Sequence, residues 1–251
     1  MSDIPEQDKS KKDTTQIQQV AVTGLQLLLT VMIPFLLAVG SARLVMSPDF
    51  LAFEYNRPNF SPDIYGFTVE DRLNYGPYGV LYITNNEPLS YLADLELPGN
   101  LCFPPRNAPC QAFNPLELSH MRDVQMVAQR LFMVALWGGV LTVLSGVILA
   151  RVVSIDALRL ALMQGGLLTV GLIITIILLA VTAWDMFFTG FHSLFFEDGT
   201  WQFYYSDTLI RLYPEQFWFD ASLLVGIMTT LGSVAILAVA TRLHNNDIER
   251  Q

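Results

Sequence analysis

Four long apolar blocks decide what this chain can become. Val20 to Ala42 is a run of 23 residues without a charge, closed by Arg43. A second block runs from about Val124 to Ala150, interrupted only by Gln125, Gln129 and Arg130 near its start. A third runs from Leu160 to Trp184 and a fourth from Ala221 to Ala240. A helix needs ~20 apolar residues to cross ~30 Å of hydrocarbon, and each block supplies that length. Pro34, in the middle of the first block, is expected to kink its helix rather than end it, as membrane helices tolerate. The connection from Arg151 to Arg159 is short, so blocks two and three should form an antiparallel hairpin. The fold expected is therefore an α-helical integral membrane protein with four transmembrane helices and a small mixed α/β extracytoplasmic cap.

Block one invites a second reading as a cleaved signal peptide, because Val39-Gly40-Ser41-Ala42 offers small residues. Its apolar run exceeds the usual ~7–15 residues of such a segment. Its leader also mixes acids (Asp3, Glu6, Asp8, Asp13) with lysines. Block one is therefore read as a retained span. The expected organisation is a polar tail at 1–19, a first span at 20–43, a cap at 44–114 and a long helix containing the second span at 115–150. A loop at 151–159, a third span at 160–184, an aromatic-rich loop at 185–218, a fourth span at 219–241 and a tail at 242–251 complete it.

Charge orients the spans. Lys9, Lys11, Lys12, Arg151, Arg159, Arg242 and Arg250 lie on three short segments. The two long loops, about 43–123 and 185–220, carry Arg43, Arg57, Arg72, Arg106, Arg122 and Arg211 over a much greater length. The bias of Lys and Arg toward the cytoplasmic side then puts both termini in the cytoplasm and both long loops outside. Only 15% of residues are charged, against about 25% in soluble domains. The net charge is -9 with 14 Lys+Arg, and no basic stripe is present, so nucleic acid is excluded as a partner. High apolar content also excludes a disordered chain.

Cys102 and Cys110 bracket a Pro-rich stretch. An oxidising exterior would let them pair; two free surface thiols are an equal alternative, since spacing does not fix connectivity. In the cap, Leu51–Tyr55 and Gly79–Thr84 read as strands. A short helix is expected to start at Thr68, and another to cover Pro88–Glu96. Asn114-Pro115-Leu116-Glu117 is the sharpest local signal: an N-cap, a Pro at the first helical position and a Glu able to bond back to the cap. The second long helix should therefore begin near Pro115.

That helix carries His120, Asp123 and Arg130 along one face, at i, i+3 and i+10. Asp123 is positioned to orient or charge-stabilise His120. His192 lies on the second loop, two turns past Trp184, among an aromatic density typical of a headgroup-depth belt. His244, in the C-terminal tail, reads as incidental. Ionisable groups at membrane depth are often functional, but each histidine could equally be an interfacial polar residue. Two histidines with Asp123 or Asp185 make a weak metal set without a spaced ligand motif, so no metal is expected. No Gly-x-Ser-x-Gly is present.

At these residues a resemblance enters. His120-Met121-x-Asp123-Val124, Phe191-His192-x-x-Phe195-Phe196, Trp201-x-Phe203, Asp207-Thr208-Leu209-Ile210 and Pro214-x-x-Phe217 follow the order seen in a bacterial four-helix membrane family. That family includes the lipoprotein intramolecular transacylase. The resemblance implies a membrane acyltransferase that moves the sn-2 acyl chain of a diacylglyceryl lipoprotein to the α-amine of its N-terminal cysteine. His120 and His192 would be the catalytic pair. Asp123, Arg130, Asp207, Thr208, Arg211 and Trp201 would support them, and Arg130 and Arg211 are charged candidates for an oxyanion donor. No cofactor is implied. The partners are the lipid bilayer and the diacylated lipoprotein N-terminus, the protein acts as a monomer in the bacterial cytoplasmic membrane, and the site faces outward. The alternatives are a non-enzymatic membrane sensor or assembly partner with a ligand-binding cap, and an acyl-transferring or hydrolysing enzyme of phospholipid.

Overall fold

A computed structural model describes residues 4–248, with side chains described over 16–243. Asp3 and Arg250 lie outside the described residues, as do the side chains of Glu6, Lys9, Lys11, Lys12 and His244. Nine α-helices and two short strands are present among the described residues: α1 (Ile4–Val45), α2 (Pro48–Tyr55), α3 (Val69–Thr84), α4 (Ser90–Ala93), β1 (Glu96–Leu97), β2 (Cys110–Gln111), α5 (Pro115–Ile148), α6 (Ile155–Thr182), α7 (Trp184–Phe195), α8 (Thr208–Leu212) and α9 (Glu215–Ile248). A π-helical turn at Leu149–Val153 follows α5. Four helices are long and apolar enough to cross a membrane, over Gln16–Val45, Pro115–Val153, Ile155–Thr182 and Glu215–Leu243. The protein is a multi-pass, mostly helical membrane protein.

The chain divides into two compact units. One comprises Met1–Ala38, Ala135–Ile174 and Met228–Gln251. Its apolar side chains point largely outward; Leu27, Val31, Leu136, Trp137, Leu141 and Val143 are all exposed. Lipid is as apolar as leucine, so such helices are held by close packing and hydrogen bonds rather than by hydrophobic burial. Both devices are present. A Cβ on Gly166 would come 2.7 Å from Leu237, and one on Gly232 would come 2.6 Å from Leu37. Ser233 Oγ donates to Gly166 O at 2.8 Å, and Gln26 Nε2 donates to Ala157 O at 3.0 Å. Leu29, Leu149 and Ala161 form a small buried cluster beside the π-helical turn.

The second unit comprises Val39–Val134 and Thr175–Ile227. Here the structure corrects two expected strands. Leu51–Tyr55 belongs to α2, which Ser47 caps by accepting from Phe50 N at 3.2 Å and which starts with Pro48. Gly79–Thr84 is the second half of α3. Its N-terminus is a reciprocal capping box between Thr68 and Asp71. Strand propensity in Val80, Tyr82 and Ile83 is overridden because those side chains are buried around the helix. Gly76 and Gly79 on that helix admit Tyr55 and Tyr213 closely. Beta structure is confined to the two-residue antiparallel pair β1–β2, next to the Cys102–Cys110 disulfide.

Two of the three interruptions of the second apolar block now have a structural reason. Gln125 Nε2 donates to Tyr82 O and Glu87 O, and Gln129 Nε2 donates to Ile83 O at 2.6 Å. Tyr82 and Ile83 lie in the last turn of α3, where helix carbonyls lack intrahelical partners.

Candidate active site

Local sequence places His120 firmly. Asn114 Oδ1 accepts from Leu116 N and Glu117 N, and Glu117 Oε2 accepts from Asn114 N at 2.7 Å. This closed box starts α5 and puts His120 one turn beyond Glu117. The other oxygen of Glu117, Oε1, accepts from Leu209 N at 2.6 Å, at the start of α8. One buried carboxylate thereby ties the first turns of α5 and α8 together.

His192 sits in the last turn of α7. That helix follows a break at Ala183, where φ is -151°. After α7 the chain reverses at Glu197–Thr200. Thr200 N donates to Glu197 O at 3.2 Å, and Gly199 takes φ +85°, the arrangement of a type II turn that favours glycine at its third position. The reversal brings Trp201 against His192 with ring centroids 4.8 Å apart.

The two imidazoles meet. Their centroids are 6.3 Å apart and their planes differ by 23°. Phe196 and Phe203 stand edge-on to His120 at 4.9 and 5.3 Å. Phe188 lies 4.1 Å from His192. His120 is 6% exposed and Trp201 is 9% exposed. His120 is thus enclosed by aromatic rings, and half-buried His192 is lined by them.

The tautomer of His192 follows from its contact. Nδ1 lies 2.8 Å from Phe188 O. A carbonyl only accepts, so Nδ1 carries the proton and the lone pair of neutral His192 resides on Nε2. Burial holds the His192 pKa below the usual histidine range, opposed in part by the Phe188 carbonyl. The imidazole is therefore neutral near pH 7. His120 Nδ1 and Trp201 Nε1 are the buried side-chain nitrogen or oxygen atoms without a hydrogen-bond partner among the described residues.

Other residues singled out from the sequence fall elsewhere. Asp123 is half-buried; it does not orient His120 through Nδ1, because that atom has no partner. Arg130 is exposed. Asp207 closes a turn, its Oδ2 accepting from Tyr204 N at 2.8 Å, and Thr208 is the buried first residue of α8. Arg211, expected as a charged oxyanion candidate, is an anchor of the cap instead. Its Nε donates to Asp63 Oδ2 at 3.0 Å, Nη1 to Leu101 O at 2.9 Å and Nη2 to Tyr65 O at 3.2 Å. Its guanidinium also lies 3.6 Å over Phe67. Sequence reasoning saw Glu117 only as a cap partner and missed its bond to Leu209. It also passed over Phe188, although Phe188, His192 and Phe196 stand at successive i, i+4 steps, a spacing that stacks side chains on one helical face.

Fold and cluster together define a multi-pass membrane protein with an aromatic-lined histidine pair, one ring buried and the other half-buried. A sequence model of the lipoprotein intramolecular transacylase Lit matches residues 26–218. The chain belongs to that family, whose members are acyl-transferring enzymes of lipoproteins. A protein of Aquifex aeolicus (strain VF5), described only as uncharacterized, is 29% identical over 218 residues, 85% of this chain and 91% of that one. The in meso structure of Lit from Bacillus cereus covers 92% of this chain and 99% of its own, with a TM-score of 0.77 at 18% identity. A form of the same protein with one histidine exchanged for arginine gives 0.70 over 96% and 100%, also at 18% identity. At such identities the likeness speaks for the fold.

Proposed function

We propose that His120 and His192 form the acid–base centre of an intramolecular acyl transfer. The substrate is a lipoprotein whose N-terminal cysteine carries an S-diacylglyceryl group. The α-amine attacks the sn-2 ester carbonyl. The new N–C bond forms, the C–O bond to glycerol breaks, and one proton passes from nitrogen to the released glycerol oxygen. The product is an N-acyl, S-monoacylglyceryl lipoprotein. The single observation that carries this reading is the 6.3 Å approach of a buried and a half-buried imidazole from separate helices.

The chemistry needs a base and an acid that interchange near neutral pH. The attacking α-amine has a reference pKa of about 8 and must lose a proton, while the glycerol alkoxide must gain one. Neutral His192, with its lone pair on Nε2, is suited to accept from the amine. His120, one ring away, is suited to donate a proton to the alkoxide and to recover the one that His192 took, so that both rings end the cycle neutral. Donor and acceptor belong to one molecule, so attack is already unimolecular and the aromatic enclosure has only to hold it in a reactive geometry. The positive-inside bias puts both termini in the cytoplasm and this site at the outer face of the bacterial membrane, where mature lipoprotein N-termini are anchored by their acyl chains.

The test uses purified protein in lipid vesicles with a synthetic diacylglyceryl-cysteine lipopeptide. Migration leaves the mass unchanged, so fragmentation must locate the chain. Wild-type protein is expected to move it to the amine, and His120→Ala or His192→Ala to slow this by about 10²–10⁴-fold. A chain that stays on glycerol with wild-type protein sinks the reading. Two active alanine variants would sink the histidine assignment alone.

A further inference from the structure

We propose that the indole N–H of Trp201 is the hydrogen-bond donor that stabilises the oxyanion formed at the sn-2 ester carbonyl. The inference rests on the transacylase reading above and assigns a part that the charged side chains do not fill.

The tetrahedral intermediate places a negative charge on the former carbonyl oxygen. A pre-aimed donor in a dry site stabilises that charge far more than a donor in water would. Arg211 has its guanidinium engaged by Asp63 and two carbonyls, and Arg130 is exposed. Three backbone donors near the site are also engaged: Phe196 N on His192 O, Arg211 N on Asp207 O and Leu209 N on Glu117. Trp201 Nε1 is not. Indole nitrogen is a donor only, so this group can be satisfied by nothing but an acceptor. A buried donor without one weakens the fold, and a phenylalanine would fill much of the space without that penalty.

Position supports the same role. Trp201 lies over His192 at 4.8 Å and 6.2 Å from Phe188, so it shares the walls of the base. The Glu197–Thr200 reversal fixes it there. In the reaction, nitrogen attacks the carbonyl carbon, the carbonyl π pair moves to oxygen, and that oxygen accepts from Trp201 Nε1–H. Collapse re-forms C=O and expels the glycerol oxygen, which takes the proton that left nitrogen. Trp201 neither gains nor loses a proton.

The experiment replaces Trp201 by phenylalanine and, through suppression at that codon, by β-(3-benzothienyl)alanine, which keeps the bicyclic shape and puts sulfur where N–H was. Migration is followed with the lipopeptide ester and with its thionoester, whose sulfur is a poor hydrogen-bond acceptor. Both variants should lose about 10²–10³-fold in kcat on the ester with KM little changed. On the thionoester, wild type and variants should differ far less. A benzothienyl variant that keeps kcat within about twofold overturns the proposal, because only the ring would matter. An equal loss on both substrates overturns it as well. If Trp201→Phe fails to fold, the benzothienyl variant alone decides. Inactive wild type, by contrast, would sink the transacylase reading beneath it.

Discussion

Two buried polar clusters in the same unit differ in how they are completed. Around Arg211 every part is matched: a carboxylate, two carbonyls and an aromatic face receive the guanidinium. Around His120 and Trp201 two nitrogens are buried and unmatched. A matched cluster lowers the free energy of the folded state and fixes the loops it joins. An unmatched one raises it, and persists where the groups serve a ligand or a transition state. Stability and activity should therefore respond in opposite ways at the two places.

The largest effect is expected at His120. His120→Phe keeps a ring among Phe196 and Phe203 and removes the orphan nitrogen. Acyl migration should fall by about 10²–10⁴-fold, while thermal unfolding in detergent should be unchanged or raised, since replacing an unsatisfied polar group by an apolar one of similar shape is close to neutral or favourable. A clear fall in melting temperature would break the contrast. Arg211→Leu is the reverse case. It removes the paired charge of Asp63, whose side chain is 4% exposed and which keeps only the backbone N–H groups of Tyr65 and Phe67, and should destabilise by about 3–5 kcal/mol. Protein that remains folded should keep its rate, measured per active site by titration with a slow substrate.

Glu117 lies between these extremes, and Glu117→Gln should show it. The carboxylate accepts at both oxygens, from Asn114 N and Leu209 N. An amide has one acceptor and would turn an NH2 toward a backbone N–H. The expected loss is about 1–3 kcal/mol, read as a lower melting temperature. Glu215→Gln, an exposed first-turn acid of α9, should stay within about 0.5 kcal/mol as the control.

Much of this architecture was legible from residues alone, because a membrane restricts backbone to helices and makes each span visible as an apolar run. The start of α5 was legible because Asn-Pro-x-Glu is local chemistry. The cap was read less well. Val80, Tyr82 and Ile83 carry strand propensity, and only the packing of Tyr55 and Tyr213 against Gly76 and Gly79 shows why α3 runs on to Thr84. The histidines stood out because charge is sparse. That they stack depends on a break at Ala183 and a turn at Gly199, neither of which announces a partner 72 positions away. Arg211 was misjudged for a related reason: its partners Asp63, Tyr65 and Leu101 are more than 100 residues distant, and a lone arginine beside a motif reads as part of it.

The smallest effect, and the one that separates the two histidines, is pH dependence. Burial holds the folded-state pKa of His192 below its ordinary value near 6.5. Above 6.5 the imidazole is neutral both folded and unfolded, so it adds no slope to stability. Below 6.5 the unfolded chain takes up a proton that the folded chain resists, and folding weakens as pH falls, until the folded pKa is passed. The slope from this one group is at most about 1.4 kcal/mol per pH unit. His192→Phe should remove that slope while leaving stability at pH 8 little changed. The same shift has a catalytic counterpart. Neutral His192 persists below the usual histidine range, so the acid limb of kcat should lie below pH 6.5, whereas kcat/KM should keep rising toward pH 8 as the free amine is released. An acid limb of kcat at or above 6.5 would mean that His192 is not the base, and the contrast would then rest on His120 and Trp201 alone.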